Sequence, residues 1–413
     1  MWDFLDSSQL KKWIFHPELL MECRERANRE ARITLAAPPP PSPAVACTDG
    51  SDKVVKFFAS GYMAKKALLD SSAVEPLSPE NNESSAGVQD EWKSFDGHDL
   101  LNPEDEQSLI QFYIGKIPSL LGPAAQLSRL RRREGVSATA SLLFRRFYLS
   151  NSVMMFDPKA IMVAAAFLAS KIEDATVNVH DLVKGTEEMQ ALVSAPDIIV
   201  AELHLLCGVD KDLMCHHPYK TVLAYTEDLR TYLKSERGRK AVMSTSVPGE
   251  SSSRTPVIVS GEDLRPMHDN ARLIVEDICV SDVPLMYTPG QIGLAAMLVA
   301  NEDLKKKRDE NAEKEKAEAS TSYVKIDLSS YVKYRFEGRS EKEHALLKIQ
   351  MNELMAMLGE LKDGKYGCGN HGIDMGALKV VHKKLKKCRR WGDNSGKDEN
   401  KKKKKKKRKA ESG

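Results

Sequence analysis

The sequence has few of the features on which secreted or membrane-spanning proteins depend. Its seven cysteines among 413 residues are odd in number and widely spread, which fits free thiols in a reducing compartment better than a disulfide framework. Apolar runs are too short to span a bilayer, and residues 1–10 contain acids and no apolar block. We therefore expect neither a signal peptide nor a membrane partner.

Motifs that bind phosphate or assemble a catalytic centre are also absent. The chain has no G-x-x-x-x-G-K-[ST] loop, no G-x-G-x-x-G that opens a helix, and neither the H-R-D nor the D-F-G of protein kinases. No serine or cysteine lies in a recognisable nucleophile setting. These absences predict a binding protein that performs no catalysis itself and needs no cofactor.

Charge is distributed unevenly along the chain. Residues 379–413 hold 17 basic and 4 acidic side chains, so a chain with a net charge of +3 has −10 in its remainder. The folded part therefore lacks the composition of a basic nucleic-acid surface. Nine consecutive basic residues predict a disordered nuclear-targeting segment with at most weak nucleic-acid binding. These residues are Lys401, Lys402, Lys403, Lys404, Lys405, Lys406, Lys407, Arg408 and Lys409.

Two further groups of residues were considered as sites. Four metal-capable side chains lie towards the C-terminus, but their spacing matches no common zinc pattern, so we predict no metal site there. They are Cys368, His371, His382 and Cys388. Phosphorylation of Ser42, Ser78 and Thr255 is left open by the sequence.

One apolar segment, which begins at Asp157, organises the rest of the chain. This aspartate suits a helix N-cap, and Pro158 suits the first helical position. The residues from Ile161 to Ala169 are apolar on every side of the helix, which predicts a central helix with neighbours all round. Only the end of the helix is polar, so it presents Lys171 and two acids at a surface.

The same segment occurs twice, 131 residues apart. Residues 142–171 match residues 273–302 without a gap and share the capping residue, the proline and the preceding aromatic residue. A repeat of this length predicts two copies of one helical domain. The second copy has Glu302 where the first has Lys171, so we expect function to be confined to the first copy.

Several motifs resemble the cyclin family. The run R-R-F-Y-L-S-N-S-V-M-M-F-D-P and the following A-F-L-A-S-K-I-E-D resemble the first cyclin box. The H-H-P-Y motif at 216–219, Y-T-P-G-Q-I-G-L-A-A at 287–296 and K-W-I-F-H-P near the N-terminus are similar to the cyclin H branch. The resemblance implies an all-α fold of two tandem cyclin boxes, each with five helices around a central helix.

The resemblance and the composition together define the expected segments. These are an N-terminal helix (1–36), a low-complexity linker (37–102), box one (103–208), box two (216–361) with insertions near 234–256 and 303–320, and a basic tail (364–413). The insertions and the tail are expected to be disordered, and the segment 303–320, which is dense in Lys and Glu, is either such an insertion or a solvated helix.

Helical periodicity refines this outline. It predicts a first helix of box one over 104–121 and a second over 137–149, with Arg145 and Arg146 facing outward. A helix over 196–206 is expected to close at Gly208 as a C-terminal cap. The last helix of box two is predicted over 340–361, with apolar residues at near-helical spacing on its packed face. These residues are Leu346, Leu347, Ile349, Leu354 and Leu358.

The resemblance also implies a kinase-binding surface. In the family, a lysine in the A-S-K-x-E segment and a glutamate in the fifth helix contact a cyclin-dependent kinase, and these positions match Lys171 and Glu202. Ile172 and Glu173 are expected to join them. Considered alone, Lys171 is a cation at a helix C-terminus and Glu202 lies on a solvated face. The M-R-A-I-L-x-x-W motif of cell-cycle cyclins is replaced by E-Q-S-L-I-Q-F-Y-I-G, so no substrate docking is assigned there.

The implied activity is regulatory. A cyclin docks beside the αC helix of the kinase and favours its active conformation. The implied partners are the kinase catalytic subunit, an assembly subunit of the CDK-activating kinase and the core of the general transcription factor TFIIH, in the nucleus. Two alternatives stay open: a transcriptional cyclin of another branch, and a cyclin-fold nucleic-acid-binding factor resembling TFIIB.

Overall fold

The computed structural model describes residues 4–36, 100–189, 191–240, 242–243, 259–314, 325–362 and 373–389. Within these ranges the chain forms fifteen α-helices, a few short 3-10 turns and one two-stranded ribbon. The prediction of an all-α fold is confirmed. None of the helices in the described ranges is long and apolar enough to cross a membrane.

Two N-terminal helices precede the repeats. Helix α1 (Ser8–Trp13) begins where the side chain of Ser7 accepts the backbone N–H of Leu10, and α2 (Pro17–Ala36) follows after a short extended segment. The sequence predicted one N-terminal helix within 1–36, where the structure has two. Trp13 and Phe15 are buried, in a cluster with Leu142 and Leu149 of box one and Leu285 of box two.

Box one is built from helices α3 to α8. They are α3 (Pro103–Ile114), α4 (Ile117–Leu120), α5 (Glu134–Phe147), α6 (Pro158–Ile172), α7 (Val179–Glu188) and α8 (Ala195–Gly208). The predicted first helix over 104–121 is therefore two helices. Pro118 explains the break, because proline lacks the N–H that would continue the preceding helix.

Helix α6 is the central helix that the sequence predicted. The Asp157 carboxylate accepts the backbone N–H of Lys159, and Pro158 is the first helical residue. The helix contacts α3, α4, α5, α7 and α8. The residues from Ile161 to Ala166 are all buried, so the segment that is apolar on every side does have neighbours on every side.

Box two repeats this plan with helices α9 to α14. They are α9 (Pro218–Lys234), α10 (Glu236–Lys240), α11 (Gly261–Cys279), α12 (Pro289–Lys314), α13 (Leu328–Arg335) and α14 (Glu341–Lys362). The central helix is α12, which contacts α9, α11 and α14. Its first turn is capped by Thr288, whose hydroxyl accepts the N–H of Gln291. Residues 303–314 continue α12 and so are not a disordered insertion.

The segment predicted as an insertion near 234–256 also contains regular structure. It begins with α10 and with strand β1 (Val242–Met243), which pairs antiparallel with β2 (Lys325–Ile326). Residues 244–256 and 315–320 lie outside the described residues, as do the linker at 37–99 and residues 390–413.

The prediction that Arg145 and Arg146 face outward is wrong. Both side chains are buried on α5. Arg145 forms an ion pair with Asp282, and the Arg146 guanidinium lies 4.9 Å from the centroid of the Trp13 ring. Charged side chains are normally exposed, but here each finds a partner from a distant part of the chain.

Two further predictions of local packing are corrected. On α14, Leu354 and Leu358 are buried as expected, but Leu346 and Ile349 are exposed. Gly208 is the last residue of α8 and not a left-handed cap. A Cβ at this position would lie 2.4 Å from the Phe147 ring, so the glycine permits close packing of α8 on α5.

The predicted basic tail contains one more helix, α15 (Met375–Cys388). Its apolar side chains Leu378, Val381 and Leu385 are buried in the core of box one, and α15 contacts α3. The Lys384 ammonium lies 3.0 Å from the Asp105 carboxylate of α3. The chain therefore returns from box two to box one before the tail begins.

Candidate partner-binding surface

Lys171 and Glu202 form a direct ion pair at the C-terminal end of the central helix of box one. The Lys171 ammonium donates to both carboxylate oxygens of Glu202, at 2.6 Å and 2.9 Å. It also lies 3.8 Å from the centroid of the Phe167 ring, one turn earlier on α6. The lysine side chain is 42% exposed and the glutamate 13% exposed. The cation is therefore held in one direction while it remains accessible.

Helix α8 surrounds this pair with exposed apolar side chains. Ile199 is 56% exposed and Leu203 is 61% exposed, and they lie on α8 three residues before and one residue after Glu202. The opposite face of the helix packs on box one through Ile198, Ala201 and Leu205. We call Phe167, Lys171, Ile199, Glu202 and Leu203 the partner surface. Exposed apolar side chains around a preformed ion pair are typical of a protein-binding site.

Sequence reasoning missed Ile199 and Leu203, although a signal was present. The segment I-I-V-A-E-L-H-L-L has more apolar residues than one packed face of a helix requires. The surplus residues had to be exposed unless a further helix covered them. Their position beside Glu202 marks them as the apolar part of the same surface.

Ile172 and Glu173 are placed differently from their neighbours. Ile172 is half-buried and packs against the core of box one. The Glu173 carboxylate accepts the hydroxyl of Thr139 at 2.6 Å, and the same hydroxyl oxygen lies 2.6 Å from Nε2 of His217. Burial first, and then nearby cations, lower the pKa of His217 to about 3. Because the Thr139 hydroxyl donates its hydrogen to Glu173, its oxygen is the acceptor towards Nε2 of His217. This chain of hydrogen bonds joins Glu173 to the linker between the boxes.

In the second copy the matching charged residue is paired within its own helix. Glu302, which corresponds to Lys171, lies 2.9 Å from the ammonium of Lys305 on the same helix. Glu302 borders a cavity of about 580 Å³ between α12, α13 and α14, with Leu298 at the position of Phe167. The two faces therefore differ in charge sign and in the partner of the charged group.

The other candidate residues are dispersed. The basic run at 401–409 lies outside the described residues, as do Cys368 and His371. On α15, His382 lies 3.2 Å from the hydroxyl of Tyr113 and 3.0 Å from the Leu378 carbonyl. Among the residues that the structure describes, no group of three histidine, cysteine or acidic side chains is arranged to hold a metal ion.

Two known domain families match the two repeats. The family described as "Cyclin, N-terminal domain" matches residues 127–214, and "Cyclin C-terminal domain" matches residues 217–363, which together make up more than half of the chain. The chain belongs to the cyclin family. Boxes one and two are its two cyclin boxes, and the partner surface lies on the first.

Relatives of this cyclin include proteins named for cyclin H. Cyclin-H1-1 of Arabidopsis thaliana is 23% identical over 301 residues, which is 73% of this chain and 71% of the relative. Cyclin CCL1 of Saccharomyces cerevisiae is 28% identical over 204 residues, covering 49% of this chain but only 44% of CCL1. Cyclin-H of Xenopus laevis is 24% identical, covering 48% of this chain and 53% of the relative.

A solved structure shares the fold over almost the whole chain. It belongs to a CAK complex from Chaetomium thermophilum bound to ATP-γ-S. The similarity has a TM-score of 0.55 at 19% sequence identity, and it covers 94% of this chain and 88% of the other. The tandem arrangement of the two boxes therefore also occurs in a solved structure.

Proposed function

We propose that this cyclin binds a cyclin-dependent kinase through the partner surface and activates it, as the regulatory subunit of a CDK-activating kinase. The observation that carries the proposal is the Lys171–Glu202 ion pair among the exposed apolar side chains of α8. These two residues match the lysine and glutamate with which the family contacts its kinase. The relatives named cyclin H support this branch of the family.

The partner surface is suited to a contact that forms without rearrangement. Glu202 and the Phe167 ring already fix the direction of the Lys171 ammonium, so binding costs little side-chain entropy. Ile199 and Leu203 provide apolar area that excludes water around the pair. Because electrostatic interactions strengthen as water is excluded, Lys171 and Glu202 set the orientation of the partner while the apolar side chains provide affinity.

The activity follows from differential binding. A kinase whose αC helix is turned inward has completed its own lysine–glutamate pair, which orients the phosphates of ATP. A cyclin that contacts αC in this position and not in the outward one shifts the kinase population towards the active state. The cyclin provides no catalytic group, so the rate of phosphoryl transfer depends on the kinase residues that it positions.

The location and assembly of the complex belong to the same proposal. The basic run at 401–409 directs this cyclin to the nucleus. There the complex of cyclin and kinase joins an assembly subunit and the core of TFIIH. Truncation after Asp393 is expected to reduce nuclear accumulation while kinase binding is retained. Normal localisation of the truncated protein would assign the tail another role.

The kinase proposal is tested by co-purification and activation with matched variants. Leu203 and Leu273 are both exposed leucines on helices, at 61% and 60%, but only Leu203 belongs to the partner surface. We expect Leu203→Asp to reduce kinase affinity by about thirtyfold or more, because it places a charge in an apolar contact. Leu273→Asp is expected to change it less than about threefold.

Three results would contradict the proposal. The first is that the chain co-purifies with no cyclin-dependent kinase of its own cell. The second is equal loss of binding with Leu203→Asp and Leu273→Asp, which would place the contact elsewhere. The third is ATP turnover that follows the purified chain in the absence of any kinase.

A further inference from the structure

A segment with four arginines joins α4 to α5 on the surface of box one. Its residues 129–133 read R-L-R-R-R, and a short 3-10 turn (Ser128–Leu130) lies at its start. Leu130 is buried in the core of box one. It packs against Gly185 of α7, where a Cβ would lie 2.6 Å from the leucine side chain. An apolar contact therefore fixes the segment on the box at one point.

Arg132 fixes the same segment at a second point. Its guanidinium donates to the carbonyls of Ala175 and Thr176, at 2.8 Å and 2.9 Å, in the turn that follows α6. It also donates to the carbonyls of Arg129 and Arg131 within the segment, at 2.9 Å and 2.8 Å. These hydrogen bonds hold the backbone beside Arg132 in a defined position, which reduces the entropy that the segment loses on binding a ligand.

Arg131 and Arg133 flank this anchor, and both are exposed. Arg131 donates from Nε to the carbonyl of Ala125, at 3.2 Å, which orients its guanidinium. Within the described part of the chain, neither arginine has a carboxylate partner. Their Cα atoms are at most about 7 Å apart, because the chain advances no more than about 3.6 Å per residue. Two guanidinium groups with unused donors can therefore reach one ligand group.

Carboxylates around the segment limit the size of that ligand. Asp181 lies 3.7 Å from Arg129, and Glu134 forms an ion pair with Arg272 of box two. Asp174 is exposed in the turn that follows α6. A long polyanion such as a nucleic-acid strand would meet these charges beside the two arginines, whereas a compact anion would contact the arginines alone.

A phosphate monoester matches this arrangement better than a carboxylate does. It carries a charge of about −1.5 to −2 at neutral pH and three acceptor oxygens, so two guanidinium groups can donate to it at once. A carboxylate carries one charge and two oxygens, which a single arginine already satisfies with two parallel N–H donors. Arginine clusters are also a known means of recognising phosphorylated protein segments.

We propose that Arg131 and Arg133 bind a phosphorylated serine or threonine side chain of a partner protein. The proposal does not depend on kinase binding, because neither arginine belongs to the partner surface. Ala175, which Arg132 holds, lies four residues after Lys171 in the chain. A phosphorylated protein bound to the segment would therefore lie beside the partner surface.

The test measures fluorescence anisotropy with the full chain at about 150 mM salt, where interactions between well-separated surface charges are largely screened. The probe is a fluorescein-labelled peptide, Gly-Ala-Ser-Ala-Gly, with its serine phosphorylated. Control peptides have an unmodified serine or a glutamate at this position, and a labelled oligo-dT strand tests the nucleic-acid alternative. We expect the probe to bind at least about tenfold more tightly than the serine peptide and about threefold more tightly than the glutamate peptide.

Protein variants separate a defined site from general attraction. Arg131→Ala combined with Arg133→Ala is expected to weaken probe binding about tenfold. Arg237→Ala combined with Arg265→Ala removes two arginines of box two that are 68% and 69% exposed. This control pair has the same net charge and is expected to weaken binding less than about threefold. The basic run at 401–409 is retained in every variant, so its contribution to binding is constant.

Two further variants test the role of the guanidinium groups. Arg131→Lys combined with Arg133→Lys keeps both charges but removes the planar fork of donors, and is expected to weaken probe binding about fivefold. Arg133→Ala alone leaves the hydrogen bond between Arg131 and Ala125 in place and is expected to weaken it about threefold. Circular dichroism checks that each variant is folded.

Four outcomes would overturn the proposal. Equal losses with the two alanine pairs would show attraction by net charge alone. Undiminished binding by the lysine pair or by Arg133→Ala would remove the role of the guanidinium groups. If Arg131→Ala combined with Arg133→Ala weakens oligo-dT binding as much as probe binding, the segment contacts nucleic acid. Displacement of the probe by inorganic phosphate as readily as by unlabelled phosphopeptide would assign the site to the free anion.

Discussion

Arg146 is a charged side chain buried where three parts of the chain meet. Its guanidinium lies over the ring of Trp13 in α1 and donates to the carbonyls of Asp212 and Met214, both at 3.3 Å. Those two residues follow α8 in the linker to box two. Burial lowers the pKa of Arg146, and the ring and carbonyls compensate for part of the lost hydration.

We predict that Arg146→Ala destabilises the protein by at least about 2 kcal/mol. The substitution removes the contact with Trp13, removes the donor to the carbonyls of Asp212 and Met214, and opens a cavity. Urea denaturation at neutral pH measures the change. Arg265→Ala is the control, because the ion pairs of Arg265 with Glu262 and Asp269 are exposed, and its effect is expected to stay within about 0.5 kcal/mol. Equal effects of the two variants would contradict this role of Arg146.

The burial of Arg146 could not be predicted from its own neighbourhood in the sequence. Two adjacent arginines on a helix are normally solvated, and nothing in R-R-F-Y indicates otherwise. The partners lie more than sixty residues away, at Trp13 and Asp212, and become neighbours only when the boxes and the N-terminal helices pack. Asp157 and Pro158, in contrast, predicted the start of α6 because a helix cap is a local structure.

At the scale of helices, α14 shows how an excess of apolar residues obscures the packed face. Leu346, Ile349 and Leu354 are all compatible with a helical stripe, but only Leu354 is buried. The helix has apolar residues on more positions than its contact with α12 covers. The neighbouring helix determines which face of α14 is buried, and the sequence pattern of α14 gives no information about that neighbour.

The assignment of faces on α14 is tested with a matched pair of leucines. Leu354→Ala is expected to lower the free energy of unfolding by about 2–5 kcal/mol, because it leaves a cavity in the core of box two. Leu346→Ala removes the same atoms from an exposed site and is expected to cost less than about 0.5 kcal/mol. A similar loss of unfolding free energy in both variants, measured by chemical denaturation, would mean that the wrong face of α14 has been assigned as buried.

Helix α15 was missed for the opposite reason. Leu378, Val381 and Leu385 have helical spacing, but the five lysines among residues 379–387 resemble the start of the disordered tail. Three apolar residues are enough when α3 offers a surface to pack on. Composition therefore predicted the basic character of the segment correctly and its lack of structure incorrectly.

At the scale of the whole molecule, Asp282 joins the N-terminal helix to both boxes. It lies just after α11 in box two and pairs with Arg24 of α2 and Arg145 of α5. The Arg24 guanidinium donates to both carboxylate oxygens of Asp282, at 2.6 Å and 2.9 Å. Burial acts to raise the pKa of Asp282, but the two arginines outweigh it and lower the pKa to about 2.

This cluster predicts a component of acid sensitivity. A carboxylate whose pKa falls from 3.8 to about 2 on folding stabilises the protein above pH 3.8, and that contribution is lost as the pH falls towards 2. Asp282→Asn is expected to be destabilising at neutral pH, since it removes the carboxylate that pairs with the buried Arg145 and the partly buried Arg24. The free energy of unfolding of Asp282→Asn should differ less from that of wild type at pH 2 than at pH 5, by about 2 kcal/mol. A constant difference across this range, in denaturation curves at each pH, would contradict the account.

The repeat made the overall architecture predictable. Matching residues 142–171 and 273–302 indicated two copies of one domain, and the structure places α6 and α12 as the two central helices. The resemblance predicted that Lys171 and Glu202 share one surface. Their direct contact, and the apolar residues around them, became apparent only from the packing of α8 on α6 in the structure. Whether this surface binds a kinase is the central claim.

The most direct test of that claim is the kinase affinity of two single charge reversals, with circular dichroism as the control for folding. Lys171→Glu is expected to weaken binding by about 2–5 kcal/mol. The kinase then meets two carboxylates in place of the oriented ion pair of Lys171 and Glu202. Glu302→Lys reverses the matching position in box two and is expected to leave the affinity within about threefold of wild type. Wild-type binding by Lys171→Glu, or a larger loss with Glu302→Lys, would contradict the assignment of the partner surface to box one.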